Sequence, residues 1–367
     1  MRGKAPPGSR QRAAAIVVAV LAGVAVLSAA IGAGRSAPAD LQPLASSGPT
    51  PAPTTGASHP CTVSATLVPS CGAWWGVAPG SWTDQSRLQA TQEFEAAAGR
   101  RMAVVHTYHR DSGLFPTAEE IALAREAGKT RLLYINWKPE LGHTWAQVAA
   151  GAVDSDIDRE AAYLKQNFPE RFFLAIHHEP ENEVDERPGS GFTAIDYHDM
   201  FRHVVERLRH DGVSNAVYVM NYMAAEKWMA EPWFDQLYPG DDVVDWIAFD
   251  RYSSTGSAFP RLSFSELVNR GVDGRPGFYT WAQEHHPGKP LALGEWGVYD
   301  NGEDPAYKAA FFDDMKNAVS AFPNLRMYLY FDAPSEPRHG DSTITTTPEA
   351  QKAFRDLGEL PYFSQLP

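Results

Sequence analysis

Cysteine is nearly missing from this chain: 367 residues carry only Cys61 and Cys71. Two thiols cannot build a multi-bridge disulfide scaffold, and a lone pair falls short of a structural zinc site. In an oxidising compartment they are expected to bond to each other and close a short loop. Positive charge is also scarce, 32 Lys and Arg against 45 Asp and Glu, for a net charge of −13. That balance excludes nucleic acid as a partner and disfavours a polyanionic substrate, leaving a neutral polymer or a small molecule. Three catalytic signatures are absent. No Gly-rich phosphate loop follows the first β-rich run, where Trp74-Trp75-Gly76-Val77-Ala78-Pro79-Gly80 stands instead, so a nucleotide-binding sheet is disfavoured. No His-Glu-x-x-His occurs, and no Gly-x-Ser-x-Gly elbow. No metal and no other cofactor is expected.

What is present begins with a leader. Arg2, Lys4, Arg10 and Arg12 precede an uncharged run from Ala13 to Ala33. A basic flank before an apolar stretch is an export signal. The run of 21 residues exceeds a usual cleaved core of ~7–15 and is long enough to span a bilayer, so residues 1–35 read as a signal peptide or a retained anchor. The positive flank stays inside and the rest goes out, secreted or held on the outer face of the membrane. Any membrane contact is confined to residues 13–33. Losing residues 1–35 removes five basic groups and no acidic ones, taking the net charge from −13 to −18. Residues 36–60, rich in Pro, Ala, Ser and Thr, read as a flexible linker. The folded part is then 61–367, expected to act as a monomer.

That part alternates short apolar runs with helical stretches. Eight strands are predicted: Ala73–Val77, Met102–Thr107, Arg131–Asn136, Phe172–His177, Ala216–Asn221, Val244–Phe249, Leu291–Gly294 and Met327–Phe331. Each is bounded by polar residues, Gly or Pro, as parallel strands covered on both faces should be. Helical spacing fills Ser81–Ala98, Thr117–Ala127, Asp154–Asn167, Asp196–Asp211 and Asp304–Ala321, and Thr117-Ala118-Glu119-Glu120 has capping-box chemistry. Eight such repeats in about 300 residues predict an α/β fold, a (β/α)₈ TIM barrel.

A barrel places its chemistry at the C-terminal ends of the strands, and that rule yields a shortlist. It runs through Trp82, His106-Thr107-Tyr108-His109-Arg110-Asp111, Trp137, His177-His178-Glu179-Pro180-Glu181-Asn182, Asn221, Tyr252, Glu295-Trp296 and Asp332. His106, Trp137, Asn221 and Asp332 are accordingly expected to touch substrate. His177 and His178 point to opposite sides of a strand, so at most one faces the cleft, with His177 packed outward. Glu179 and Glu295 are the only glutamates standing directly at ends of apolar strands, the fourth and seventh. A carboxylic acid that protonates a leaving oxygen, paired with a carboxylate that attacks or activates water, is the requirement for cleaving a glycosidic bond. The bland alternative makes each a buried structural carboxylate paired with Arg or His.

The segments Phe172–Glu179 (FFLAIHHE) and Pro290–Gly297 (PLALGEWG), with Phe249-Asp250-Arg251-Tyr252, resemble glycoside hydrolase family 26. That family belongs to a superfamily of barrels with catalytic glutamates on strands 4 and 7. Most of the superfamily has Asn before the strand-4 glutamate; family 26 has His, and so does this chain, in His178-Glu179-Pro180. The resemblance implies a retaining hydrolase of β-1,4-mannan. In it Glu179 is the acid/base, His178 its positioning partner, Glu295 the nucleophile and Tyr252 a hydrogen-bond donor to that nucleophile. Two departures open alternatives. The family's Glu-Met-Asn-Gly is here Glu179-Pro180-Glu181-Asn182, which makes Glu181 a second acid/base candidate. The family's strand-8 Trp is absent from Met327–Asp332, so Trp296 is the expected sugar platform, or else the substrate is a β-1,3/1,4-glucan or xylan. A non-catalytic carbohydrate-binding barrel at the cell surface is the rival from another class.

Overall fold

In the computed structural model, the described residues are 61–81, 83–334 and 339–367. The expected leader and linker, residues 1–60, and Trp82 lie outside them. The strands are β1 Trp74–Pro79, β2 Val104–His109, β3 Leu132–Trp137, β4 Phe172–Ile176, β5 Ala216–Tyr222, β6 Trp246–Ser254, β7 Leu291–Tyr299 and β8 Leu325–Asp332. All are parallel, pair in sequence order and close with β8 against β1. This is a (β/α)₈ barrel.

Alternation along the strands sorts side chains into two layers. Trp74, Val104, Tyr134, Phe173, Ala175, Val219, Trp246, Ala248 and Met327 point inward and fill the barrel. Their neighbours, among them Trp75, Ile135, Leu174, Met220, Phe249 and Tyr328, point outward and pack against the helices. The N-terminal mouth is covered by the loop that Cys61 and Cys71 close with a disulfide. Leu67 of that loop joins the inner layer. Trp74 Nε1 donates to Leu67 O and Trp246 Nε1 to Thr66 O, each at 2.7 Å.

The helices start where side chains cap them. Thr117–Glu120 forms the expected capping box, and Thr144–Gln147, Thr193–Asp196 and Ser263–Glu266 form three more. The first helix spans Arg87–Ala98 and not Ser81–Ala98, because Ser86 accepts from Gln89 N and sets the start there. The stretch Asp304–Ala321 is an α-helix only over Tyr307–Ala318 and tightens to a 3₁₀ turn at Val319–Ala321.

Strands β6 and β7 run past their predicted ends and stay paired to Ser254 and Tyr299. The register shifts between them: Phe249 faces Leu293, whereas Asp250 faces Glu295, leaving Gly294 as an extra residue. That bulge governs the site.

Candidate active site

Below the bulge, Leu291 and Leu293 face the helices and Ala292 faces the barrel. Uninterrupted alternation would turn Glu295 outward and Trp296 inward. The extra Gly294 reverses this. Glu295 enters the cleft, and Trp296 turns fully into the helix-facing layer, 4.9 Å from Tyr330 and 5.8 Å from Trp75 between ring centroids. Trp296 is therefore not a sugar platform. A Cβ at position 294 would lie 2.2 Å from Asn221 Oδ1 and 2.8 Å from Asp250 Oδ1. Asn221 cannot easily yield, since Tyr134 donates to its Oδ1 at 2.5 Å and its Nδ2 donates to Asp250 at 2.8 Å. Gly294→Ala is expected to cost about 1–3 kcal/mol of stability by overpacking and to misdirect Glu295. Urea melts and turnover assays on one preparation check this; wild-type values in both would show that the Asn221–Asp250 pair can give way.

Strand β4 reaches the cleft by strain instead of a bulge. His177 and Glu179 have φ of +47° and +54°, a region costly for residues with a Cβ. His177 N donates to Trp137 O and Glu179 N to Asn221 O, holding this twist. Tyr197 donates its hydroxyl to Ile176 O at 3.0 Å. The outcome sends His177 outward, edge-on to Trp145 at 5.1 Å, and brings His178 and Glu179 to the cleft wall.

Glu179 and Glu295 thus border one cavity of about 820 Å³ at the C-terminal ends of the strands. Their surroundings differ. Glu295 accepts from Tyr108 OH on Oε1 at 2.7 Å and from Tyr252 OH on Oε2. Burial raises its pKa, while these two hydrogen bonds and nearby Arg110 pull it down. For Glu179, burial and then the charges of Glu295 and Glu181 push the carboxyl up to about 8, against Lys138 and Arg110. Asp250 lies beneath the pair. Burial, then Glu295 and Glu179, drives it well above the carboxylate range. His178 is buried beside Glu179, and burial pushes its imidazole well below its ordinary value. It therefore stands neutral at the cleft wall.

Glu181 does not border the cavity. It is buried, with its two oxygens accepting from Met223 N at 3.0 Å and Ala224 N at 2.9 Å. It anchors the loop after β5.

Four further shortlisted residues stand behind the wall. Trp137 follows the outward parity of Leu133 and Ile135 and packs on Phe115 at 5.1 Å. Asp332, next to inward Phe331, turns toward the helix layer, where it accepts from Ile344 N at 3.3 Å and feels Lys308. Asn221 points inward but below the cavity, holding Asp250. His106 is fully buried under Tyr108. None of the four borders the cavity, against the expectation that they touch substrate: Trp137 and Asp332 turn outward by parity, and Asn221 and His106 lie below it.

Sequence reasoning named Tyr252 on the aromatic side of the cavity lining but missed its neighbours. Phe259 stacks on Tyr299 at 5.4 Å, Phe331 meets Tyr252 edge-on at 5.8 Å, and His339 lies 4.7 Å from Phe259. All five border the cavity. Phe331 was visible as the inward residue at the end of strand 8; Phe259 and His339 sit on loops with no periodic signal.

Among the described residues one group could hold a metal ion, Glu140, His177 and Glu183. Its charges are already matched locally. Lys138 contacts the Glu183 carboxylate, His177 Nδ1 contacts Glu140, and none of the three metal candidates borders the cavity.

No family model matches the chain. It is 25% identical over 297 residues to Endoglucanase H of Acetivibrio thermocellus, covering 78% of this chain and 30% of that protein. The chain thus spans under a third of the length of that curated relative. Among solved structures it is similar to a family 26 β-mannanase from Bacteroides ovatus, with a TM-score of 0.53 and 16% identity over 80% of this chain and 90% of that one. The catalytic domain of a family 26 endo-β-1,4-mannanase from Bacillus sp. JAMB-750 gives 0.53 and 15%, covering 80% and 87%. A modular endo-β-1,4-mannanase from Cellulomonas fimi gives 0.53 and 18%, covering 79% and 71%. In its fold, this chain is a (β/α)₈ barrel similar to those of family 26 β-mannanases.

Proposed function

We propose that the chain is an exported, retaining glycoside hydrolase acting on a neutral β-linked polysaccharide. The observation that carries this reading is the asymmetry of two glutamates in one cavity. Glu295 has a phenol on each oxygen, and these donors offset part of the rise that burial imposes, favouring the carboxylate. Glu179 is held above neutrality and so favours its proton. In the first step Glu179 gives its proton to the glycosidic oxygen as the bond to the anomeric carbon breaks, and Glu295 forms a bond to that carbon from the opposite face. In the second step Glu179, now ionised, takes a proton from water as the water displaces Glu295. Phe331, Phe259 and Tyr299 offer apolar faces to sugar rings in place of a strand-8 Trp. The leader expected in residues 1–35 and the Cys61–Cys71 disulfide support export.

For the sugar, β-1,4-mannan is the first reading, supported by the strand-4 and strand-7 motifs. A β-glucan is the second, supported by the sequence relation to an endoglucanase. Reducing-sugar release and product anomer on galactomannan, lichenan and xylan decide between them. The expected result is release on galactomannan with the anomeric configuration retained. Activity on lichenan alone moves the substrate to glucan and leaves the mechanism standing. An inverted product refutes retention, and binding without release on all three favours a non-catalytic barrel.

A further inference from the structure

Tyr108 ends on the same carboxylate as Tyr252 but arrives from the far side of the barrel. Strand β6 neighbours β7, whereas β2 is three strands removed around the ring. The two phenols divide the carboxylate between them, Tyr108 on Oε1 and Tyr252 on Oε2. Burial and the charge of Glu295 hold the Tyr108 phenol far above its usual range, so it remains a donor. Its position is fixed from below, where His106 stacks against its ring at 4.4 Å with 29° between planes. His106 Nδ1 lies 3.1 Å from Gly294 O and its Nε2 lies 2.8 Å from Asn136 Nδ2. A carbonyl only accepts and an amide nitrogen only donates, so the ring is neutral with its proton on Nδ1. Burial agrees, pushing His106 down to about 3. One buried imidazole thus ties the carbonyl of the β7 bulge to the underside of Tyr108.

We propose that Tyr108 is a positioning residue that keeps Glu295 ionised and aimed, through a β2–β7 clamp made with His106. This rests on Glu295 being the nucleophile. A buried carboxylate flanked by Glu179 and Asp250 is charged only while donors stabilise it. Removing one donor raises the pH at which Glu295 ionises, so activity is lost first on the acid side. The same donor also eases departure of the carboxylate in the second step. There the bond from the anomeric carbon to Glu295 breaks, the water oxygen bonds to that carbon, and the water proton goes to Glu179. Both tyrosines keep their protons throughout.

The test is Tyr108→Phe in the full chain, with kcat/KM followed against pH on an activated aryl β-glycoside, whose leaving group does not need Glu179. The acid limb is expected to rise by about one pH unit, an approximately tenfold loss below it. Release of a 2-fluoro-glycosyl group trapped on Glu295 is expected to slow by about tenfold, with the melting temperature close to wild type. An unmoved acid limb in a variant that folds overturns the proposal. So does an equal loss at every pH accompanied by a lower melting temperature, which marks a merely structural tyrosine. Trapping on wild-type Glu295, located by peptide mass, separates the two levels. Label on another carboxylate refutes Glu295 as nucleophile and the proposal with it, no label at all refutes the retaining reading, and label on Glu295 with an unmoved limb refutes the proposal alone.

Discussion

Glu295→Ala is expected to lower turnover by at least about 10⁴-fold on every substrate, polymeric or activated, because no leaving group removes the need for a nucleophile. The measurement is steady-state hydrolysis of the polysaccharide and of an aryl glycoside side by side, with thermal melting as a control. Both activities should vanish while the fold stays intact, since Glu295 makes its hydrogen bonds to two tyrosines at the cavity wall and packs little of the core. Residual activity on the aryl substrate near wild type would remove Glu295 from the nucleophile's role.

Glu179→Ala should behave differently, and the contrast is the sharper test. On polysaccharide the loss should be about 10²–10⁴-fold, the usual contribution of a positioned acid/base. On an aryl glycoside with a good leaving group the first step should survive, and azide should speed breakdown of the intermediate by replacing activated water. A sign follows for pH as well. Glu179 must be protonated to act, and its carboxyl is pushed up to about 8. Polysaccharide cleavage should therefore hold through neutrality and fall as the pH rises through about 8. The alanine variant should lose that alkaline limb. Glu181→Ala should show no azide rescue, because its carboxylate is occupied by Met223 N and Ala224 N. Rescue there and none at Glu179 would move the acid/base two residues along the chain.

The barrel was legible because its eight apolar runs are short, β-rich and evenly separated, and strand closure follows from that pattern. Glu179 and Glu295 were legible as acids at strand ends. Less could be read about direction. Trp137 shares its face with Leu133 and Ile135, and counting by twos from that apolar pair would have sent it outward. Trp296 could not be placed by counting, because the count fails at Gly294, where register shifts against both β6 and β8. A glycine between apolar residues looks the same whether it ends a strand or bulges within one. The left-handed backbone at His177 and Glu179 escaped for a related reason, since it depends on Trp137 and Asn221 accepting from their amides. Tyr108 stood in plain view two residues beyond His106, on the same face of β2. Its partner, 187 residues away, became visible only once the ring had closed.

The bulge makes β7 a strand with two reading frames. Up to Leu293 its sequence is spelled for the barrel, and from Glu295 onward for the cleft. Giving Gly294 a regular place in the pairing, with no bulge, would be a frameshift in space. The indole of Trp296 would swing toward the substrate and the Glu295 carboxylate would enter the oily layer among Trp75, Tyr330 and Phe354. Anyone grafting this chemistry onto another barrel must therefore transplant Gly294-Glu295-Trp296 as one word, together with the Asn221 and Asp250 side chains that leave no room for a methyl group at its first letter.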